Sequence, residues 1–406
     1  MTVRQHPSFT FGIEEEYFLV SARTHALVDE PPRKMLDECR AVLGEHFSAE
    51  YQRSQIEVAT KICMSMSQAR EDLARLRTVV AAIASRYGLA PIASSTHPFT
   101  PWCTQRHTDR KRYNTIAHDL KGLGRRMVIS GMHVHVGIDD DEQRIFIMND
   151  IRGFLPLLLA LSTSSPFWQG ENTGLKSYRT AINDATPRKG IPECFASWSD
   201  YCAMLGTLVR SGVIEDATKI WWDLRPSARF PTLELRITDV CPLIDDAMCI
   251  AALFRCLCRC LQRHNREGRH LPNYPLLLLN ENRWRAQRYG LEHGFIDLRH
   301  EEIVTSDVLI DELLDLIRED AEYFDSNAEV GHARRILACG TSADRQLALY
   351  QEQLDRGLAP SRALAAVVDQ LVIETVAGTD DASALRRPPL SVIGRQGKVS
   401  APRILS

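Results

Sequence analysis

Residues 11–20 read FGIEEEYFLV: the apolar and aromatic run of a buried strand, with Glu14, Glu15 and Glu16 at its centre. Side chains alternate along a strand, so Glu14 and Glu16 point to one face and Glu15 to the other. Two like charges on one sheet face repel and destabilise it. Two readings compete. The triplet is either an edge strand whose charges discourage aggregation, or part of a ligand set whose charge is neutralised by something bound.

Three further segments bear on that choice. In QRSQIEVAT, Ile56 and Val58 share one side and Glu57 takes the other, with Glu50 seven residues earlier. In ISGMHVHVGI, His133 and His135 share a face. In TLELRITDV, Leu233, Leu235 and Ile237 alternate with Glu234, Arg236 and Thr238, a second face too polar for an ordinary core. If these strands are neighbours, one sheet face collects several carboxylates and one or two imidazoles. Such a cluster cannot stay ionised without cations. Hard divalent ions with oxygen ligands, Mg²⁺ or Mn²⁺, are the simplest compensation. Arg225 and Arg236 suit substrate phosphates or carboxylates. Metals, an anionic substrate and arginines together fit phosphoryl transfer. Taken singly, each segment also has a plain reading: a solvated strand face, a pair of satisfied histidines, a surface salt bridge.

The remaining composition sets limits. The 406 residues are 44% hydrophobic and 25% charged, ordinary for a globular chain. A net charge of −3 supplies no basic field for nucleic acid or an anionic membrane. The segment MTVRQHPSFT lacks the apolar core of a signal peptide, and the runs FLPLLLALS and YPLLLLN are too short to span a bilayer. Eleven cysteines without a Cys-x-x-Cys pair read as reduced thiols of a cytoplasmic protein. Five of them, between Cys241 and Cys260, read as small core hydrophobes of a helix. No Walker-type glycine loop is present, which excludes a P-loop kinase.

Periodicity predicts helices near 31–44, within 65–88 from a Ser cap to a stop at Gly88, and over 142–163, 197–210 and 245–266, with several more in 305–376. Irregular joining of the strands argues for α+β, an antiparallel sheet backed by helices, and against a doubly wound parallel sheet. Residues 1–8 read as a loose end, 9–376 as a single domain, and 377–406 as a basic, flexible tail.

FGIEEEYFLV, SQIEVAT, SSTHPF, ISGMHVHVGI, WWDLRPS, PTLELRITD and ENRWRAQRYGL, in this order, resemble the type 2 glutamate–cysteine ligase family, the carboxylate–amine ligases; GTSADRQL resembles its bacterial branch. The resemblance spans residues 9–376. It implies a catalytic domain similar to that of glutamine synthetase, whose antiparallel sheet cups ATP and Mg²⁺. It also implies ATP-dependent amide formation through a γ-glutamyl phosphate, from glutamate and an amine such as cysteine, and a homodimer. By the same resemblance Glu14, His133 and Glu234 hold one ion, and Glu16, Glu57 and Glu50 a second. Arg236 then contacts the phosphate in flight, and Arg225 binds polyphosphate or a substrate carboxylate. Tyr178 and Arg179 line the amino-acid pocket, His135 orients substrate, and Arg283 and Arg288 lie on the nucleotide side. Three alternatives stand beside this one: ligation of glutamate to a different amine, a metal-dependent hydrolase using His133 and His135, and a binding module without turnover.

Overall fold

The computed structural model describes residues 9–379, and the expected loose end 1–8 and the tail from 380 onward lie outside them. The expected α+β architecture is present. Seven antiparallel strands form the main sheet: β1 (Phe11–Ser21), β2 (Phe47–Ala49), β3 (Gln55–Ala59), β4 (Leu89–Ile92), β5 (Met132–Gly137), β8 (Leu224–Pro226) and β9 (Thr232–Leu235). A two-residue hairpin, β6 (Phe167–Trp168) with β7 (Glu171–Asn172), stands apart, as does β10 (Phe295–Asp297) with β11 (Glu302–Val304). The main sheet runs β2-β3-β1-β5-β9-β8. β1 is thus a central strand with β3 on one side, and on the other β5 along its first half and β4 along its second. The edge-strand reading of the glutamate triplet therefore falls: no free edge exists at Glu14–Glu16.

Alternation along β1 builds the two layers. Phe11, Ile13, Glu15 and Tyr17 are all at most 2% exposed and face the helices Met66–Ser85 and Ile244–Arg266. Gly12, Glu14 and Glu16 take the opposite face and remain partly accessible. Beyond Tyr17 the second face is covered too. Phe18 and Val20 pack with Ile92, Phe167, Val367 and Leu371, brought over the sheet by β6 and the helix Pro360–Val376. The polar face is open only where that cover ends.

The helix Met66–Ser85 begins at Ser65, whose hydroxyl accepts the Gln68 N–H, and its last turn leads to Gly88 at φ +69°. Cys249, Cys256, Cys258 and Cys260 are buried in the helix Ile244–Arg266, and Cys241 just before it; none pairs with another cysteine. The expected helix at 142–163 is two, Asp141–Ile151 and Leu155–Ser162, joined by a 3-10 turn. Together these 22 residues are long and apolar enough to cross a membrane, but 72% of the most apolar window is buried in the protein's own core.

Candidate active site

The register places the polar side chains in rows across one face. Ser48 faces Glu57, which faces Glu16. Glu14 faces His133. Gly12 faces His135, which faces Glu234, which faces Arg225. Five strands, β1, β3, β5, β8 and β9, thus line a cavity of about 540 Å³ with Glu14, Glu16, Glu57, His133, His135, Arg225 and Glu234, and Glu50, Arg179 and Arg236 join them from outside the strands.

Glu14 sits between the imidazoles. Its Oε2 is 3.2 Å from His133 Nδ1 and its Oε1 3.3 Å from His135 Nε2. Burial would raise its carboxyl, but the imidazoles of His133 and His135 beside it outweigh this and hold it well below the usual carboxylate range. His133 is pushed down to about 4, first by burial and then by Arg236. His135 Nδ1 is 3.1 Å from the Thr232 hydroxyl, which fixes the ring. Its Nε2 is buried and, although near Glu14, off-line for a hydrogen bond. Ligand atoms of Glu14, His135 and Glu234 lie within 4.8 Å of one another. The sequence reading put His133 in this set and gave His135 to substrate; the converging triad instead contains His135. An orphaned imidazole nitrogen beside two carboxylates, its other nitrogen bonded to a hydroxyl, fits a divalent cation.

Glu234 is held on both sides. Arg225 Nε and Nη2 bind its two oxygens at 2.8 and 3.1 Å, and Arg236 Nη1 binds Oε1 as well. These two guanidiniums overcome the effect of burial and keep Glu234 ionised. The third nitrogen of Arg225 donates to the Thr218 and Ile220 carbonyls, so all of its nitrogens are engaged. Arg236 donates only to Glu234 among the described side chains and carbonyls.

The other half of the face is a repelling acid cluster. Burial, then Glu50, raises Glu16 to about 7; burial, then Glu50, Glu14 and Glu16, raises Glu57 well above its usual value; burial raises Glu50. Their few partners are neutral: Glu16 accepts the Gly131 N–H, Glu50 the Tyr51 N–H, and Glu57 the Ser48 hydroxyl at 3.4 Å. A cation between them would remove the repulsion, and oxygen-only donors suit Mg²⁺ or Mn²⁺.

Arg179 closes this end, donating to the Ile237 and Arg236 carbonyls at 3.0 Å while buried Asp239 lies 3.8 Å away. Its path requires Gly131, where a Cβ would meet the guanidinium at 2.4 Å. The remaining sequence-selected residues stand elsewhere. Tyr178 packs on Trp168 outside the cavity wall. Arg288 lies over the Tyr289 ring and donates to the Gly174 carbonyl. Arg283 is buried behind the cavity, bound to Asp223 at 2.7 Å and Asp184 at 2.6 Å; it anchors the wall and does not line it.

Lys189 is a cavity residue that sequence reasoning missed. It has no ion-pair partner among the described residues, lies 5.0 Å from the Trp221 ring centre, and is pushed well down by burial and by Arg236 and Arg179. Arg188, at φ +58°, turns the chain there, and Trp221 N–H to Arg188 O and Asp223 N–H to Gly190 O pin it. The signal available in sequence was a Lys-Gly turn inside TPRKGIP; its approach to the sheet is long-range.

A cavity with clustered carboxylates at one side and cations at the other, on one face of an antiparallel sheet, suits divalent cations and anionic substrates, and with the family match it is the site of an ATP-dependent ligase forming a C–N bond. Residues 10–363 match glutamate-cysteine ligase family 2, and the chain belongs to that family. A protein of Rhodospirillum rubrum named "Putative glutamate--cysteine ligase 2" is 51% identical over 377 residues, 92% of this chain and 97% of the relative. One of the same name from Paracoccus denitrificans is 45% identical over 370 residues, 91% and 98% of the two chains. Among solved structures, the fold is similar to a bifunctional glutathione synthetase from Pasteurella multocida (TM-score 0.68, 15% identity, 91% of this chain and 53% of that one). It is also similar to a glutamate–cysteine ligase from Francisella tularensis in complex with AMP (TM-score 0.63, 14% identity, 94% and 96%).

Proposed function

We propose that the protein activates the γ-carboxylate of glutamate with ATP and transfers the glutamyl group to an amine, with cysteine the favoured acceptor and γ-glutamylcysteine the product. The observation that carries this reading is the division of one cavity between a carboxylate–histidine face and a cationic wall.

In the first step a γ-carboxylate oxygen of glutamate attacks the γ-phosphorus of ATP. An O–P bond forms, the bond to the β-phosphate oxygen breaks, and ADP leaves. In the second the amine nitrogen attacks the acyl carbon, phosphate leaves carrying the C–O bonding electrons, and the proton shed by the nitrogen is taken up by the departing phosphate. Both steps bring negative groups together, so positioning and charge neutralisation carry the rate. Glu14, His135 and Glu234 would hold one divalent cation and Glu16, Glu50 and Glu57 a second, with Mg²⁺ or Mn²⁺ supplying the neutralising charge. Arg236, held by Glu234 but otherwise free, is aimed at the transferring phosphoryl group. Arg225 is a positioning residue that fixes Glu234. Lys189 and Arg179 form the cationic end suited to a substrate carboxylate or phosphate.

The test is ADP release with MgATP and L-glutamate, with and without L-cysteine, then with a panel of other amines. ADP that requires glutamate and cysteine together supports the reading. ADP with glutamate and another amine retains the chemistry and changes the acceptor. No ADP with any pairing overturns it.

A further inference from the structure

A second cavity, of about 530 Å³, shares no lining residue with the carboxylate face. Its wall comes from the 3-10 turn Arg152–Phe154, the segment 271–274, β10 and the helix Ser306–Leu316. Leu157, Leu271, Leu279, Phe295 and Leu313 make most of it apolar. Both its size and its lining are those of a small-molecule site.

The polar group set into this wall is unusual. Arg152 is 4% exposed, and its Nε is buried without a hydrogen-bond partner. Its Nη1 donates to Asn273 Oδ1 at 3.2 Å and also contacts Cys194 Sγ. No carboxylate of the described residues lies within ion-pair distance of it; of the other buried arginines Arg77, Arg144, Arg179 and Arg283 each have one, and Arg255, which has none, lies instead over the Phe11 and Phe324 rings. A guanidinium cannot shed its proton, and a buried charge without a counter-ion is costly.

We propose that this cavity binds a small monoanion with an apolar body, a short aliphatic or aryl-alkyl carboxylate, whose carboxylate pairs with Arg152 beside Asn273. A multiply charged anion such as phosphate is disfavoured, because the wall's other cation and its acids leave no second positive charge. Arg299 is already shared by Asp297 and Glu312, and Asp150 lines the cavity with no cation partner among the described residues.

Calorimetric titration of the full chain with 3-phenylpropanoate, 3-phenylpropanamide and 3-phenylpropylamine tests this. The acid should bind at least tenfold more tightly than the amide or the amine. Arg152→Met should abolish that preference and Arg152→Lys should keep it. Leu309→Trp, which fills the cavity and leaves the guanidinium in place, should remove binding, and thereby separates this cavity from the carboxylate face. Equal affinity for acid and amide, preference for the amine, no binding of any probe, or binding untouched by Leu309→Trp would each overturn the proposal.

Discussion

Glu15 and Arg77, sixty-two positions apart, form an ion pair at 2.6 Å in which both side chains are 0% exposed. Tyr17 also donates to Glu15, and Arg77 reaches the carbonyls of Cys241, Pro242 and Thr375. The middle glutamate of the triplet therefore ties β1 to the helical layer, while its neighbours face the cavity. Removing one partner of a buried pair leaves the other charge uncompensated, which costs about 3–5 kcal/mol. Glu15→Gln should lower unfolding stability by about that much in urea titration. Glu14→Gln should cost less, since Glu14 is partly accessible and its partners His133 and His135 can stand neutral without it, and yet abolish turnover.

The acid cluster predicts how metal affects stability. Glu57 is raised by burial and by Glu50, Glu14 and Glu16, so the metal-free protein carries a repulsion that a divalent cation relieves. Mg²⁺ at a hundred times its dissociation constant should add about 2.7 kcal/mol. Glu57→Gln should raise the metal-free melting temperature by about 2 °C and shrink the increment that Mg²⁺ adds. Calorimetry with and without chelator reads both. A variant no more stable without metal, and equally stabilised by it, would contradict the assignment.

The two arginines on Glu234 should behave differently. Arg236 has donors left for substrate, so Arg236→Gln should lower kcat by about a hundredfold or more, as loss of one transition-state donor does. Arg225 is fully committed to Glu234 and two carbonyls. Arg225→Gln should instead raise the Mg²⁺ concentration needed for half-maximal activity by about 10–100-fold, with partial recovery at high Mg²⁺. Steady-state kinetics across a Mg²⁺ series separates the two outcomes.

His97 supplies a pH dependence of stability remote from the active site. Burial lowers it to about 4. Its Nδ1 accepts the Phe99 and Thr100 N–H groups and its Nε2 bonds the His25 carbonyl, so protonation would break two hydrogen bonds. Above about pH 6.5 neither folded nor unfolded chain holds the proton, and His97 adds no slope. Between there and about 4 the unfolded chain takes up a proton that the folded chain refuses, so stability falls as pH falls, by about 3 kcal/mol in all. His97→Gln should be less stable at pH 7 but lose less on acidification. An identical slope in both proteins would contradict this.

The carboxylate face was legible in sequence because strand alternation is local. FGIEEEYFLV, SQIEVAT, HVHVG and TLELR each declare which residues share a side, and the antiparallel register then brings those sides together. What alternation leaves open is which nitrogen of which histidine faces the centre. His133 and His135 share a face, and the Thr232 hydroxyl, ninety-seven positions away, helps to fix the second ring. Arg283 and Tyr178 lie outside the lining of this cavity, and sequence could not show that, for a related reason. A helix pattern shows that one side is buried but not what it is buried against, and Asp184, Asp223 and Trp168 come from three separate segments. Arg77 as partner of Glu15, and Lys189 as a cavity residue, depend on the same long-range packing.

The central claim, that a glutamate carboxylate is phosphorylated before the amine attacks, is tested most directly by isotope transfer. L-Glutamate carrying ¹⁸O in its γ-carboxylate, turned over with MgATP and the accepted amine, should deliver one ¹⁸O into each inorganic phosphate released. Phosphate free of label would mean that the carboxylate oxygen never joined phosphorus, and the acyl-phosphate account would be wrong.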